Sequence, residues 1–118
     1  MQANILKLTP TAYQQYISSV NGNENISFDQ AARKLSRNVH YVKDVTPDKK
    51  VRSWFDVTYL YGNLDITVRF GKIVSVVNYK GAGATLEIDK KYYNTLSKLY
   101  QVESKFKYKY KNKLSNRK

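Results

Sequence analysis

Residues 50–79 read KVRSWFDVTYLYGNLDITVRFGKIVSVVNY, and the alternation in this stretch decides the fold class. Leu64, Ile66, Val68 and Phe70 alternate with Asp65, Thr67 and Arg69, the period-2 signature of a strand with one buried face. Gly62-Asn63 and Gly71-Lys72 each fit a two-residue hairpin loop with glycine at the first central position, where φ is positive. Three antiparallel strands are expected. Residues flanking such loops pair with each other, so Tyr61 should face Leu64 and Phe70 should face Ile73. One face then collects Phe55, Val57, Tyr59, Tyr61, Leu64, Ile66, Val68, Phe70, Ile73, Ser75, Val77 and Tyr79. The other collects Trp54, Asp56, Thr58, Leu60, Asp65, Thr67, Arg69, Val74, Val76 and Asn78. The first is the expected core face. Asp56 falls opposite Arg69, so an ion pair is the simplest role for that arginine.

Upstream, NILKL at residues 4–8 is a short apolar stretch suited to an edge strand. Thr9 then fits a helix N-cap with Pro10 at the first helical position. Tyr13, Tyr16, Ile17 and Val20 share one side of that helix, and Asn21-Gly22-Asn23 ends it. Ser27-Phe28-Asp29-Gln30 is a capping box opening a second helix. Phe28, Ala31, Ala32 and Leu35 form its inner stripe; Arg33, Lys34 and Arg37 form a basic outer stripe. VHYVKDV at residues 39–45 alternates and is expected as a further strand, followed by a turn at Thr46-Pro47-Asp48-Lys49. Gly81-Ala82-Gly83-Ala84 is a break that lacks the phosphate-cradling GxxxxGK[ST] pattern. Residues 88–104 turn helical, with Tyr92, Tyr93, Leu96, Leu99 and Tyr100 on one side and Asp89 in the first turn. The expected fold is α+β: two N-terminal helices packed on a four- or five-stranded antiparallel sheet, then a C-terminal helix. One domain over residues 1–104 and a basic tail over 105–118 follow.

The composition bounds the function. At 118 residues the chain suits a single modest core. It has no cysteine, hence no disulfide framework, thiolate nucleophile or zinc–cysteine site. Its one histidine, His40, makes no metal site alone, and no metal or cofactor is expected. No apolar run approaches the ~18 residues of a membrane span, and the N-terminus lacks the shape of a signal peptide. A cytoplasmic protein with no membrane partner is expected. The net charge is +12 and uneven: residues 1–89 carry 11 basic and 8 acidic side chains, residues 90–118 carry 10 and 1. Such a surplus points to a polyanion, most simply nucleic acid, RNA or single-stranded DNA, although an anionic membrane surface or an acidic protein patch satisfies the same electrostatics. In the tail, Lys105, Lys107, Lys109, Lys111 and Lys113 interleave with Phe106, Tyr108 and Tyr110. An extended chain would present lysines to phosphates along one edge and rings to unpaired bases along the other. These eight residues, with Arg33 and Arg37, are the expected nucleic-acid contacts.

The order short strand, helix, helix, antiparallel meander in a small basic chain resembles the RelE-type ribonuclease fold, which includes the RelE and BrnT toxins. Ile26-Ser27-Phe28-Asp29-Gln30-Ala31-Ala32 is similar to the start of the second helix in BrnT-like proteins, and residues 63–79 to their closing hairpin. The resemblance spans about residues 4–79. It implies metal-free RNA cleavage by basic side chains, often with a histidine or tyrosine, on the open sheet face. That reaction needs a base for the 2′-hydroxyl, an acid for the leaving oxygen and cations on the phosphorane. Carried onto this chain, it makes His40, Arg69 and Lys72 the candidate catalytic groups, with Arg52, Arg37 and Lys80 as further charge. BrnT-like proteins often carry a histidine at the start of the first helix, where this chain has Thr9-Pro10-Thr11-Ala12. The principal expectation is therefore a non-catalytic nucleic-acid binder or one with a degenerate site. A metal-free endoribonuclease toxin with an antitoxin partner is one alternative. Another is a phage or mobile-element inhibitor of a nucleic-acid-processing enzyme, of anti-CRISPR type.

Deleting residues 105–118 removes seven positive charges and three aromatics. Nucleic-acid affinity should fall, and the slope of log K against log salt should flatten by several units, at about 0.9 per phosphate contact on duplex DNA and about 0.7 on single strands. The thermal transition should not move. Fluorescence anisotropy at several salt concentrations checks this; unchanged affinity would exclude the tail from binding.

Overall fold

A computed structural model describes residues 2–20, 22–79 and 88–102. The glycine-rich break and the basic tail lie outside them. Helix α1 (Pro10–Ser19) starts as its sequence dictates: the Thr9 hydroxyl accepts the Ala12 N–H at 3.2 Å, and proline opens the first turn. Helix α2 (Phe28–Val45) starts where the Ser27 hydroxyl accepts the Gln30 N–H at 3.1 Å. It is much longer than expected. Residues 39–45 are its last two turns, not a strand. Leu35, Val39 and Val42 are all buried and lie at i, i+4 and i+7, so they continue one apolar stripe. The strand preference of β-branched valines yields to that stripe.

Five strands form one sheet: β1 (Lys7–Leu8), β2 (Lys50–Arg52), β3 (Asp56–Tyr61), β4 (Leu64–Arg69) and β5 (Lys72–Asn78), in the order β1-β5-β4-β3-β2. The architecture is α+β, but the sheet is mixed, because β1 runs parallel to β5. The first hairpin has the expected register, with Tyr61 opposite Leu64 and Gly62 at φ 61°. The second differs. Arg69 pairs with Lys72, so the loop is Phe70-Gly71, at φ 49° and 75°. Two positive φ values in succession mark a type I′ turn.

A bulge follows. Val68 pairs with Ile73 but Thr67 pairs with Ser75, leaving Val74 as the extra residue. This exchanges the faces of the rest of β5. Val76 and Asn78 turn to the core side; Ser75 and Val77 turn away. Val76 is 2% exposed, and the Asn78 amide donates to the Ser19 carbonyl at 2.9 Å. Phe55, Phe70 and Tyr79, expected in the core, are exposed.

Helices α1 and α2 lie on the same sheet face. Ala12, Tyr16, Ala31, Leu35, Val39 and Val42 pack there against Leu8, Tyr59, Leu64, Ile66, Ile73 and Val76. Helix α3 (Lys90–Leu99) begins at Asp89, the N-cap, whose carboxylate accepts the Tyr92 N–H at 3.1 Å. It packs on α2 through a second cluster of Tyr41, Tyr93, Leu96 and Tyr100, and the Tyr41 hydroxyl accepts the Asp89 N–H at 2.9 Å. Among the described residues no helix covers the opposite sheet face.

The bulge makes Val76 and Val77 unequal. Val76→Ala should cost roughly 1.5–3 kcal/mol, the worth of a buried valine, and Val77→Ala no more than about 0.5 kcal/mol. Urea unfolding of both variants checks this; an unbulged strand would reverse the order.

Candidate nucleic-acid interface

One end of the sheet gathers charge by register alone. Lys7 pairs with Lys72, Lys72 with Arg69, and Arg69 with Asp56. Directly paired residues share a face, so these four side chains form a row across β1, β5, β4 and β3 on the uncovered face. Neighbouring strands sit about 4.8 Å apart. The Asp56 carboxylate accepts from Arg69 Nε and, at 3.0 Å, from Arg69 Nη2, the pair expected from the sequence. The hydrogen bond from Arg69 holds the Asp56 carboxyl below its ordinary pKa. Lys7 and Lys72 are exposed, as is Arg52 at the end of β2, and none has a carboxylate partner among the described residues.

The same end carries three exposed rings. Trp54 is 92% exposed, Phe70 80% and Phe55 61%. The Trp54–Phe55 and Phe55–Phe70 ring centroids are each 6.2 Å apart, so Phe55 links the other two. A tight turn, closed by the Ser53 N–H donating to the Asp56 carbonyl at 2.8 Å, projects Trp54 and Phe55. The type I′ turn projects Phe70. Sequence alternation misses this trio because it assigns Phe55 and Phe70 to the core. The visible signal is the interruption Ser53-Trp54-Phe55 between two strands.

The expected nucleic-acid contacts on α2 lie elsewhere. Arg33 donates to the Asp29 carboxylate at 2.9 Å and to the Tyr100 carbonyl at 3.3 Å, tying α2 to the end of α3. Arg37 is not on an outer stripe: it is 4% exposed, its guanidinium lies 4.5 Å over the Tyr93 ring, and it donates to the Ser97 hydroxyl at 3.3 Å. The side of α2 expected in water is the side that α3 covers. Phe28, expected inside, is exposed against Tyr13.

His40 sits on α2 rather than on a strand. Its Nδ1 lies 2.7 Å from the Tyr100 hydroxyl and its Nε2 3.1 Å from the Asp44 carboxylate. Tyr92 donates to the same carboxylate, and the Asn4 N–H donates to the Tyr100 hydroxyl oxygen at 3.0 Å. In the neutral tautomer with its proton on Nε2, the imidazole donates to Asp44 and accepts from the Tyr100 hydroxyl at Nδ1. A cleft of about 210 Å³ opens here between Asn4, Ser36, His40, Lys43, Asp44 and Tyr100. Helix α2 lies on the covered sheet face, whereas Arg69 and Lys72 lie on the other. The fold brings Arg69 and Lys72 together and leaves His40 apart from them. Lys80, Lys105, Phe106, Lys107, Tyr108, Lys109, Tyr110, Lys111 and Lys113 fall outside the described residues. Among those described, no group of three His, Cys, Asp or Glu side chains is placed to hold a metal ion, and no helix is long and apolar enough to cross a membrane.

The YorE family matches residues 6–99, from the edge of β1 to the end of α3. The chain belongs to the YorE family. It is 36% identical over 78 residues to the "SPbeta prophage-derived uncharacterized protein YorE" of Bacillus subtilis (strain 168), covering 65% of this chain and 63% of that protein. The chain thus spans less than two thirds of that relative's length. No solved structure matches it. The family match takes in the charged row, the aromatic trio and His40 with Asp44, but not Asn4 or Tyr100 of the cleft, and ends before the tail.

Tyrosines with raised pKa values make the fold sensitive to alkali, and Tyr16, Tyr61 and Tyr92 are shifted furthest. Burial pushes Tyr16 up to about 12 and Tyr61 higher still. Burial, with the hydrogen bond to Asp44, pushes Tyr92 up to about 12. A folded-state pKa above the unfolded value contributes stability that is complete below the unfolded value and lost above it. Stability should hold up to about pH 10 and decline from there toward pH 12. Urea midpoints across that range check the decline; Tyr92→Phe should shallow it, and a flat profile would contradict the raised values.

Proposed function

We propose that the protein binds nucleic acid, RNA or single-stranded DNA, chiefly through phosphate contacts and without cleaving it. The observation that carries this reading is the positive surplus that folding does not consume. The net charge is +12, and Lys7, Lys72 and Arg52 stand exposed at one end of the sheet without carboxylate partners among the described residues. The lysine-rich tail adds to it in sequence. Binding is favoured over cleavage because both ring nitrogens of His40 are engaged and the sheet separates it from Arg69 and Lys72. Kinship with a prophage-derived protein supports a place in phage biology.

Anisotropy titrations of the full chain with labelled RNA, single-stranded DNA and duplex DNA between 50 and 200 mM salt test the reading. Affinity should fall steeply with salt, and the Lys7→Ala/Lys72→Ala variant should lose roughly one to two units of slope. The RNA should be recovered intact. Absence of binding to every probe overturns the proposal and leaves an acidic protein partner as the better reading. RNA cleavage that disappears in His40→Ala, with growth arrest on expression, overturns it in favour of a metal-free endoribonuclease.

A further inference from the structure

We infer that Trp54, Phe55 and Phe70 form a platform on which unpaired bases stack, so that the protein selects single strands over duplex. This rests on the proposed nucleic-acid binding and gives that binding a location and a substrate class.

Among the described residues the trio belongs to neither core cluster. Trp54 and Phe70 are almost fully exposed, and among the described residues their ring contacts run only through Phe55. Aromatic side chains of this size are normally the first to be buried. Phe70 is the more telling. Its φ of 49° lies in the left-handed region, which glycine and asparagine occupy at least cost and bulky residues seldom do. The turn holds a phenylalanine there although its ring buries almost nothing. A backbone outlier kept for an outward side chain points to a contact with something else.

The surrounding charge identifies that partner. Arg52 lies two residues before Trp54, Arg69 immediately before Phe70, and Lys72 two residues after it. Asp56, next to Phe55, is already engaged by Arg69. Rings flanked by cations suit a ligand with flat π faces and anionic links between them. Duplex DNA hides its base faces within the stack, whereas single strands expose them, and base–aromatic stacking is tolerant of sequence. Arg52, without a carboxylate partner among the described residues, is available for cation–π attraction to a base.

Trp54 is the only tryptophan in the chain, so its fluorescence reports on the platform directly. The full chain should be titrated with a dT oligomer and with a duplex at one salt concentration, following tryptophan emission and anisotropy of the labelled DNA together. Emission should be quenched by the single strand in step with the anisotropy change, and the duplex should bind at least roughly tenfold more weakly. Phe55→Ala and Phe70→Ala should each weaken single-strand binding by roughly 5- to 150-fold while the salt slope stays unchanged. Phe70→Asn suits the positive φ, so it should fold at least as well and lose the same affinity. Binding seen by anisotropy with unaltered Trp54 emission, or with full affinity in the phenylalanine variants, would overturn the platform and leave phosphate binding standing. No binding by either readout overturns both. Self-association that Phe70→Asn abolishes would instead make the trio an interface between copies of this chain, and would also overturn the inference.

Discussion

Helix α2 must be buried on two sides at once, and most of the structure follows from that. One side carries Ala31, Leu35, Val39 and Val42 and lies on the sheet. Another carries Arg37 and Tyr41 and lies under α3. A guanidinium taken out of water is costly unless its donors are satisfied. Here the Tyr93 ring, the Ser97 hydroxyl and the Asn38 side-chain oxygen receive it. The Tyr100–His40–Asp44–Tyr92 chain closes the same junction from its solvent edge. Polar groups thus join an apolar cluster in aligning α3 on α2, whereas α2 meets the sheet through apolar side chains. Tyr61 touches both clusters.

What was legible in the sequence was local chemistry. Thr9-Pro10, Ser27 and Gly62-Asn63 each specify one backbone conformation within a few residues, and each occurs as read. What was not legible depended on partners distant in sequence. Nothing local to residues 39–45 says that Val39 and Val42 extend a stripe begun at Ala31. Strand β5 reads Ile73-Val74-Ser75-Val76-Val77, apolar in both registers, so its face is decided by a bulge and by α1 packing above it. The parallel pairing of β1 is likewise invisible, because it joins residues 65 positions apart, Lys7 and Lys72.

The site divides the same way. Asp56 and Arg69 were placed opposite each other by a turn two residues long, and they pair. The basic helix face of Arg33, Lys34 and Arg37 implies a surface cation at Arg37; a third helix covers it. Size and polarity assign Phe55 and Phe70 to the core, yet they fall where the strands have already ended and the helices do not reach. Polarity reports burial only while the periodic structure lasts. At the sheet end that rule lapses, and the residues that break it are the ones with chemistry left to offer a ligand.

The two border strands have a further consequence. β1 is two residues long and β2 three, and Lys7, Lys50 and Arg52 occupy them. Unpaired backbone along a long, flat, neutral rim invites another chain to continue the ladder. Rims this brief, studded with like charges, give an incoming strand little to grip. Among the described residues, then, the exposed tryptophan and phenylalanines sit beside borders that disfavour the addition of a further strand.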